Sequence, residues 1–551
     1  MALSVVSRSA PARVFGARMA IGSSAAALGA GVFVLGVATR VPFRGQVLYH
    51  WDSVNFALAT VRFDVAEGQP HVPGYILYVA LGWLGNLVTH DPQVTFVWLS
   101  VLFGGLSAAA LFYLGLAMYD RRTGIVAALF LLASPLFWFY GEVALPHVVD
   151  TFFTILTAYL LYQAWGGRQG YLLAAAPILA VAGGIRPQTV LFLGPLCLLG
   201  AARARPRVIL AAAGLLAACS ALWLAPLLWL AGGCGRYLEV ASAFSQAFHY
   251  WEPTYRLLRG DASAFLTGGA KLVSYAGYAV GLAALPPLAY ALRSRMAART
   301  LVVDPRARFL ATWITPAALF YLFVHMGQQG LVFAFLPALL LLGAGSSAAL
   351  LGERYLGRVN LLVAFAALTV ALHAAVFILA PEHLSGPIGQ RLLTWSTIRN
   401  LDSRYLGMVS TIRAEFRPER TILVGADWRH AGYYLPEYRL VRLPTVGPDG
   451  EMVASMGRGD VDRPISARTS GLPLCVADSL DVVLLDGDPG MAPAGMAARR
   501  VPLPAGPPLF ALSLEPEVEL WWQAPMAGVP GQGARFVRQG PSPSAAPGTA
   551  W

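Results

Sequence analysis

Long apolar runs recur along most of this chain and limit what it can fold into. Residues 207–231 form one of them, and about 20 apolar residues are enough to cross the hydrocarbon core of a membrane as a helix. Only 13% of the residues are charged, against about 25% in soluble domains. Eleven such runs predict a polytopic α-helical membrane protein with about eleven transmembrane helices. The runs are 19–39, 94–118, 124–140, 148–166, 170–184, 188–201, 207–231, 270–293, 309–326, 329–350 and 359–380.

The arginines between the runs fix an expected orientation. Positive charge collects on the cytoplasmic side of short membrane loops, and the segments around Arg121, Arg168, Arg205 and Arg358 lie on the same side as the basic N-terminus only if residues 72–89 do not cross. We therefore expect residues 72–89 to lie in the outer interface as an amphipathic segment. The net charge of +11 then reflects membrane topology, and no nucleic-acid partner is expected.

This orientation predicts four regions. They are a cytoplasmic basic N-terminus (1–18), a transmembrane domain (19–380) with a first external loop (40–93), an extracytoplasmic α/β domain (381–540) and a disordered tail (541–551). Residues 381–540 alternate between helical and strand patterns, which favours an α/β domain. Helices are expected at 391–416 and 428–434, and strands at 421–425, 438–442, 480–485 and 509–514. The composition, rich in alanine, glycine and arginine, suggests a multi-pass protein of a bacterial inner membrane.

Ionisable residues at the outer ends of the apolar runs are the functional candidates, because charges near a bilayer usually face a cavity or a partner. Asp52 follows the first run, where it could be a general base, a metal ligand or the N-cap of a helix from Ser53. Arg186 lies on the side where arginine is disfavoured, and its planar donors suit a phosphate. His325 suits either a phosphate or the interface. The other candidates are His71, Asp64, Glu142, His147, Asp150 and Arg256.

The first external loop resembles that of GT-C membrane glycosyltransferases. The residues that carry the resemblance are Trp51-Asp52-Ser53 and His71-Val72-Pro73-Gly74-Tyr75, and the run from Phe323 to Pro337 is also similar. The closest branch is that of protein O-mannosyltransferase-like proteins. Ser53 and Asn55 stand where this family often has a second acidic residue, so a second carboxylate would have to come from Asp64 or the cluster around Glu142.

The resemblance implies an enzyme that transfers a sugar from a polyprenyl-phosphate donor to a lipid, glycan or protein acceptor on the outer face, with inversion. It implies Asp52 as the base and Arg186, His325, His71 and Arg256 as donor-phosphate ligands. Asp64, Glu142, His147, Asp150 and Tyr75 would support them. No spacing demands a metal or another cofactor, although the carboxylates leave a divalent cation possible.

A transporter or flippase of a lipid-linked sugar is the alternative. Transporters place polar residues near the bilayer midplane, often in inverted repeats. Here the ionisable residues lie at outer helix ends, and the sequence shows no internal repeat. A membrane scaffold that only displays residues 381–551 would leave the first-loop cluster unexplained.

Overall fold

A computed structural model of the chain describes most of its residues. These are 22–248, 253–293, 304–385, 390–425, 428–442, 445–446, 452–453, 473–475, 480–485, 492, 495–515, 519–523 and 535–539. The predicted basic N-terminus (1–18) and the predicted disordered tail (541–551) lie outside them.

Helices form most of the described chain before residue 380. In chain order they are α1 (Ser23–Arg40), α2 (Trp51–Ala59), α3 (Ile76–Thr89), α4 (Pro92–Met118), α5 (Arg121–Ala133), α6 (Pro135–Tyr140), α7 (His147–Trp165), α8 (Gly170–Ile185), α9 (Gln188–Ala201), α10 (Pro206–Leu230), α11 (Cys234–Phe248), α12 (Pro253–Leu258), α13 (Ser263–Val280), α14 (Leu285–Arg293), α15 (Pro305–Phe323), α16 (Leu336–Leu351) and α17 (Leu361–Leu379). Short 3-10 turns at Val41–Phe43, Gly281–Ala284 and Gln329–Ala334 join some of them.

Every apolar run taken as a span from the sequence is helical in the described residues. Five described helical segments are long and apolar enough to cross a membrane: Ser23–Phe43, Pro92–Met118, Pro206–Leu230, Ser263–Leu292 and Leu361–Leu379. Together with the shorter apolar helices, they make the chain a polytopic membrane protein.

Small residues allow the central helices to approach closely. A Cβ on Gly36 of α1 would lie 2.6 Å from the Cα of Gly105 in α4, and one on Gly115 of α4 would lie 2.7 Å from the Cα of Gly124 in α5. Close backbone contact of this kind is a main source of helix association in membranes, where lipid is as apolar as leucine. Helix α4 also packs on α7, so it forms the centre of the bundle.

The described chain after residue 380 combines strands with two helices, α18 (Trp395–Glu415) and α19 (Trp428–Tyr434). Its strands include β5 (Thr421–Gly425), β6 (Arg439–Arg442), β10 (Leu480–Leu484), β11 (Arg499–Val501) and β12 (Leu509–Leu514). These five form one sheet in the order β11-β12-β10-β5-β6, in which β5 is parallel to β6 and β10. The strands predicted at 421–425, 480–485 and 509–514 are observed within a residue of their expected bounds.

Other described strands form small sheets. They are β1 (Tyr355–Leu356) with β2 (Val359–Asn360), β3 (Leu384–Ser385) with β4 (Gln390–Arg391), β7 (Thr445–Val446) with β8 (Met452–Val453), and β13 (Glu519–Gln523) between β14 (Arg535–Gln539) and β9 (Pro473–Cys475).

Candidate active site

Asp52 is the second residue of α2, and it does not cap that helix. The helix begins at Trp51, and His50 is the N-cap, because its Nδ1 accepts the backbone N–H of Asp52 at 3.2 Å. The His50 N–H in turn donates to Ser53 Oγ at 3.3 Å. The alternative interpretation of Asp52 as the cap is therefore wrong, since a cap must precede the first turn. The carboxylate is left free for another role.

Three side chains surround the Asp52 carboxylate. Gln328 Nε2 donates to Oδ2 at 2.7 Å, and His50 Nδ1 lies 3.2 Å from the same oxygen. His71 Nδ1 lies 3.4 Å from Oδ1. Burial by itself would raise the pKa of Asp52, but His71 and His50 and the hydrogen bonds of His50 and Gln328 outweigh burial and hold the pKa well below its usual range. Asp52 is therefore ionised at neutral pH.

His71 is held by aromatic rings. Its ring stacks on Phe244 of α11 with 5.9 Å between centroids, and Tyr75 lies 5.1 Å away. Burial lowers the pKa of His71 more than Asp52 raises it, so the ring is neutral at neutral pH. Tyr237, also of α11, donates its hydroxyl to the Pro73 carbonyl at 3.2 Å. Helix α11 thus packs over the segment that contains His71.

The chain turns sharply between His71 and α3. Gly74 has a φ of 100°, which favours glycine, and a Cβ there would lie 2.6 Å from Leu227 Cδ1. Tyr75 follows with a φ of 43°, a conformation that costs a side-chain-bearing residue energy unless its surroundings impose it. The turn points Tyr75 into the buried interior, where burial raises the pKa of its hydroxyl well above the usual range.

A second group of polar side chains lies at the same end of the bundle. Arg186, which follows α8, has Nη1 3.6 Å from Asp150 Oδ2, and both side chains are buried. Thr189 donates its hydroxyl to Asp150 Oδ1 at 2.7 Å. Tyr321 of α15 is an electrostatic partner of Arg186. Asp150 therefore offsets the charge of Arg186. The second carboxylate oxygen of Asp150 accepts the hydrogen bond from Thr189.

Tyr75 and His147 connect the two groups. Tyr75 interacts electrostatically with Asp52 on one side and with Arg186 and Asp150 on the other. His147, the first residue of α7, interacts with Arg186 and Asp52. The absence of a side chain at Gly330 lets the Gln329–Ala334 turn pass against His147, because a Cβ there would lie 2.8 Å from its ring. Six of the predicted site residues thus form one polar site: Asp52, His71, Tyr75, His147, Asp150 and Arg186.

His325 and Lys271 add charge to the Arg186 side. His325 follows α15, and its electrostatic partners are Lys271 of α13 and Arg186. Burial lowers the pKa of His325 and Lys271 lowers it further, so the ring is neutral at neutral pH. Lys271 is the single lysine of the sequence, and it forms no ion pair with any residue that the structure describes. With Arg186 offset by Asp150, Lys271 supplies the net positive charge.

Three predicted site residues have partners elsewhere. Asp64 pairs with Arg62 at 3.0 Å and bonds the backbone of its own turn. Arg256 pairs with Asp261 within the segment between α11 and α13. Glu142 is fully buried, with Arg40 as its main positive neighbour, and burial raises its pKa well above the usual range. The carboxylate that joins Asp52 in the site is Asp150, from the cluster around Glu142.

Among the described residues, no group of three histidine, cysteine or acidic side chains has the arrangement of a metal site. The oxygen ligands that a divalent cation would prefer are divided between Asp52, which faces histidines and an amide, and Asp150, which faces Arg186. The described side chains therefore do not fit a bound cation.

The sequence analysis assigned no role to four residues at this end of the bundle. His50 and Gln328 contact the carboxylate, and Arg429 of α19 lies 4.6 Å over the ring of Trp51. Lys271 could have been found, since a lysine inside an apolar run is costly and therefore informative. Arg429 gave no signal, because its place depends on how the chain after residue 380 docks.

Comparisons with known proteins agree with this architecture. Residues 71–229 match the family model described as dolichyl-phosphate-mannose-protein mannosyltransferase. The crystal structure of ArnT from Cupriavidus metallidurans bound to undecaprenyl phosphate is similar with a TM-score of 0.53 at 12% identity, over 89% of this chain and 98% of that chain. The apo state of the same protein gives a TM-score of 0.51 at 13% identity, over 89% of this chain and 97% of that chain. The search of curated proteins gives no match.

The chain therefore shares its fold with these solved structures over most of its length. This fold and the family match over residues 71–229 agree with the resemblance to GT-C glycosyltransferases noted in the first loop. The mannosyltransferase model is consistent with the protein O-mannosyltransferase-like branch.

Proposed function

We propose that this chain transfers a sugar from a polyprenyl-phosphate-linked donor to an acceptor on the outer face of a bacterial inner membrane, with inversion of the anomeric centre. The observation that carries the proposal is that an ionised carboxylate, Asp52, and two cations, Arg186 and Lys271, lie at the same end of the bundle. The similarity to ArnT, whose crystal structure contains undecaprenyl phosphate, supports a carrier of that class.

Asp52 is the proposed catalytic base. The acceptor nucleophile attacks the anomeric carbon, and its proton passes to the Asp52 carboxylate as the new bond forms. The bond between the anomeric carbon and the phosphate oxygen breaks at the same time, and polyprenyl phosphate leaves. Gln328 and His71 hold the carboxylate in place. Attack from the side opposite the leaving phosphate inverts the configuration.

One carboxylate is enough for this step. Glycosidases need a second acid to protonate a poor leaving group, whereas a phosphate leaves as a stable anion and needs only positive charge. We propose that Arg186 and Lys271 stabilise the leaving phosphate by their charge, and that the neutral His325 does so by donating its N–H. Asp150 would hold Arg186 in place through the 3.6 Å contact and would reduce its charge, which leaves the phosphate site only moderately positive.

The outer face is proposed from the distribution of arginines. Arg121, Arg203 and Arg358 follow α4, α9 and α16, and Arg306 lies in the first turn of α15. These helix ends are opposite the ends that carry the Asp52 site. Since positive loops remain in the cytoplasm, the Asp52 site and the chain after residue 380 would face outward.

A transfer assay in vesicles tests the proposal. The full chain is reconstituted and given a polyprenyl-phosphate sugar or the matching nucleotide sugar, with lipid, glycan and peptide acceptors. We expect transfer only from the polyprenyl-phosphate donor, and an anomeric configuration in the product opposite to that of the donor. Movement of the donor across the bilayer without any transfer would contradict the proposal and favour a flippase.

A further inference from the structure

The segment 45–51, which leads from α1 to Asp52, lies between two parts of the molecule. On the bundle side, the Gly45 N–H donates to the Glu142 carbonyl at 3.0 Å, and Gln93 Nε2 donates to the Gly45 carbonyl at 2.7 Å. These bonds fix the start of the segment. From Gln46 to Leu48, its backbone partners come from the chain after residue 380.

Asp402 of α18 binds the next two residues. The Gln46 N–H lies 3.0 Å from each carboxylate oxygen, and the Val47 N–H donates to Oδ1 at 3.0 Å. Asp402 is only 8% exposed, so these bonds form away from bulk water, where an unpaired donor is costly. A single side chain therefore satisfies two backbone donors of the segment.

Helix α19 binds the residue that follows. The Leu48 N–H donates to the Tyr434 hydroxyl at 2.8 Å, and His430 Nε2 donates to the Leu48 carbonyl at 2.9 Å. The side chain of Val47 belongs to the hydrophobic core of the C-terminal region, with Tyr405 and Leu423 among its members. Arg429 then covers Trp51, next to Asp52. The segment is thus built into the C-terminal region by backbone bonds, apolar packing and a cation–π contact.

We propose that the C-terminal region is a working part of the site, and that Asp402 is a positioning residue that sets the place of Asp52 through the segment 45–51. The effect on catalysis rests on the proposed function. The binding of residues 46–48 by Asp402, Tyr434 and His430, which we call the clamp, depends only on the contacts described above. Four residues separate Val47 from Asp52, so a shift of the clamped backbone moves the base. A displacement of about 1 Å can cost about a hundredfold in rate.

The test compares Asp402→Ala, which removes the acceptor oxygens, with Asp402→Asn, which keeps one of them. Tyr434→Phe removes a single acceptor oxygen with almost no change of volume. The matched control is Glu415→Gln on the same helix, because Glu415 makes an exposed pair with Arg499 at 2.8 Å. Each full-length variant is reconstituted, and hydrogen exchange is followed in the peptide that contains residues 44–51.

We expect Asp402→Ala and Tyr434→Phe to speed exchange in that peptide, and Asp402→Asn and Glu415→Gln to leave it near the wild-type rate. We also expect Asp402→Ala to lower kcat about tenfold or more with the KM for the donor unchanged. Unchanged exchange in Asp402→Ala would overturn the clamp. Faster exchange with an unchanged kcat would overturn the positioning role. A wild-type protein without transfer would refute the proposed function, and the exchange result would still decide the clamp.

Discussion

At the scale of single residues, the site depends on how Asp52 and its neighbours share protons. His71 lies 3.4 Å from the Asp52 carboxylate and is one of the groups that hold its pKa below the usual range. A base must be ionised to accept a proton, so activity is lost as the pH falls through the pKa of Asp52.

His71→Gln should therefore raise the pKa of Asp52 and move the acid limb of kcat/KM to higher pH. The measurement is kcat/KM for the donor from about pH 7 down to about pH 2, a range that includes the ordinary carboxyl pKa of about 3.9 and the region below it. His90→Asn, at an exposed position of the loop 40–93, is the control and should keep the wild-type profile. An acid limb that stays in place or moves to lower pH in His71→Gln would contradict the role given to His71.

Lys271 provides the second prediction at this scale. Because Asp150 offsets Arg186 while Lys271 has no ion partner among the described residues, removal of the lysine charge should weaken the site for a phosphate. We expect Lys271→Gln to raise the Kd for polyprenyl phosphate about tenfold, the scale of one hydrogen bond to a charged group. Arg236→Gln, in an exposed i,i+3 pair on α11, should leave the Kd unchanged, and an unchanged Kd in Lys271→Gln would exclude this role.

The sequence predicted the chemistry of the site better than its contacts. Asp52, His71 and Arg186 could be found because ionisable residues are costly at the ends of apolar helices. The hydrogen bond from Gln328 to Asp52 joins residues 276 apart, and only the packed fold brings such residues together. Arg256, by contrast, has its partner Asp261 five residues away, so a local contact offsets its charge.

At the scale of elements, α3 is the helix whose position decides the topology. It has 14 residues, or about 21 Å at 1.5 Å per residue, which is short of the roughly 30 Å of a hydrocarbon core. Trp83, Leu84, Leu87 and Val88 are exposed on it. These properties suit a helix that lies in the outer interface, as residues 72–89 were expected to do.

Spin labels can measure this depth. A label at Val88→Cys should be shallow in the bilayer, whereas one at Leu222→Cys, an exposed position inside the long helix α10, should be deep. The measurement is the accessibility of each label to oxygen and to a polar relaxation agent, in a background without the native cysteines. Equal depths for the two labels would mean that α3 enters the membrane core.

The sequence also predicted most elements but missed their breaks. The run 124–140 divides at Ser134 into α5 and α6, and the run 270–293 divides at Gly281–Ala284. Ser134 donates its hydroxyl to the Ala279 carbonyl at 2.6 Å, so one break is stabilised by a contact with the other part of the bundle. Hydropathy reports how apolar a segment is and contains no information about such contacts.

At the scale of the whole molecule, the orientation can be tested directly. If the arginine-rich connections are cytoplasmic, a cysteine at Arg358 should react with an impermeant maleimide only after the cells are opened. A cysteine at Arg420, exposed next to β5, should react in intact cells. The reverse pattern would place the site on the cytoplasmic face and contradict the proposed use of an external donor.

The role of the C-terminal region was the hardest to predict from the sequence, and the contacts between distant parts of the chain explain why. Its strands follow local patterns and were predicted, but its relation to the site depends on Asp402 binding Gln46, 356 residues away. From the sequence, this region could bind the acceptor or only cap a cavity. In the structure it holds the backbone that carries Asp52.

The most direct measurement for the whole account is sugar transfer by Asp52→Asn in reconstituted vesicles. Glu67→Gln is the matched control, since Glu67 lies in the same loop and pairs with the exposed Arg62 at 3.5 Å. We predict that Asp52→Asn loses at least about a hundredfold in kcat, the range for removal of a general base, while polyprenyl-phosphate binding and the activity of Glu67→Gln stay at wild-type levels. Transfer by Asp52→Asn at the wild-type rate would contradict the account.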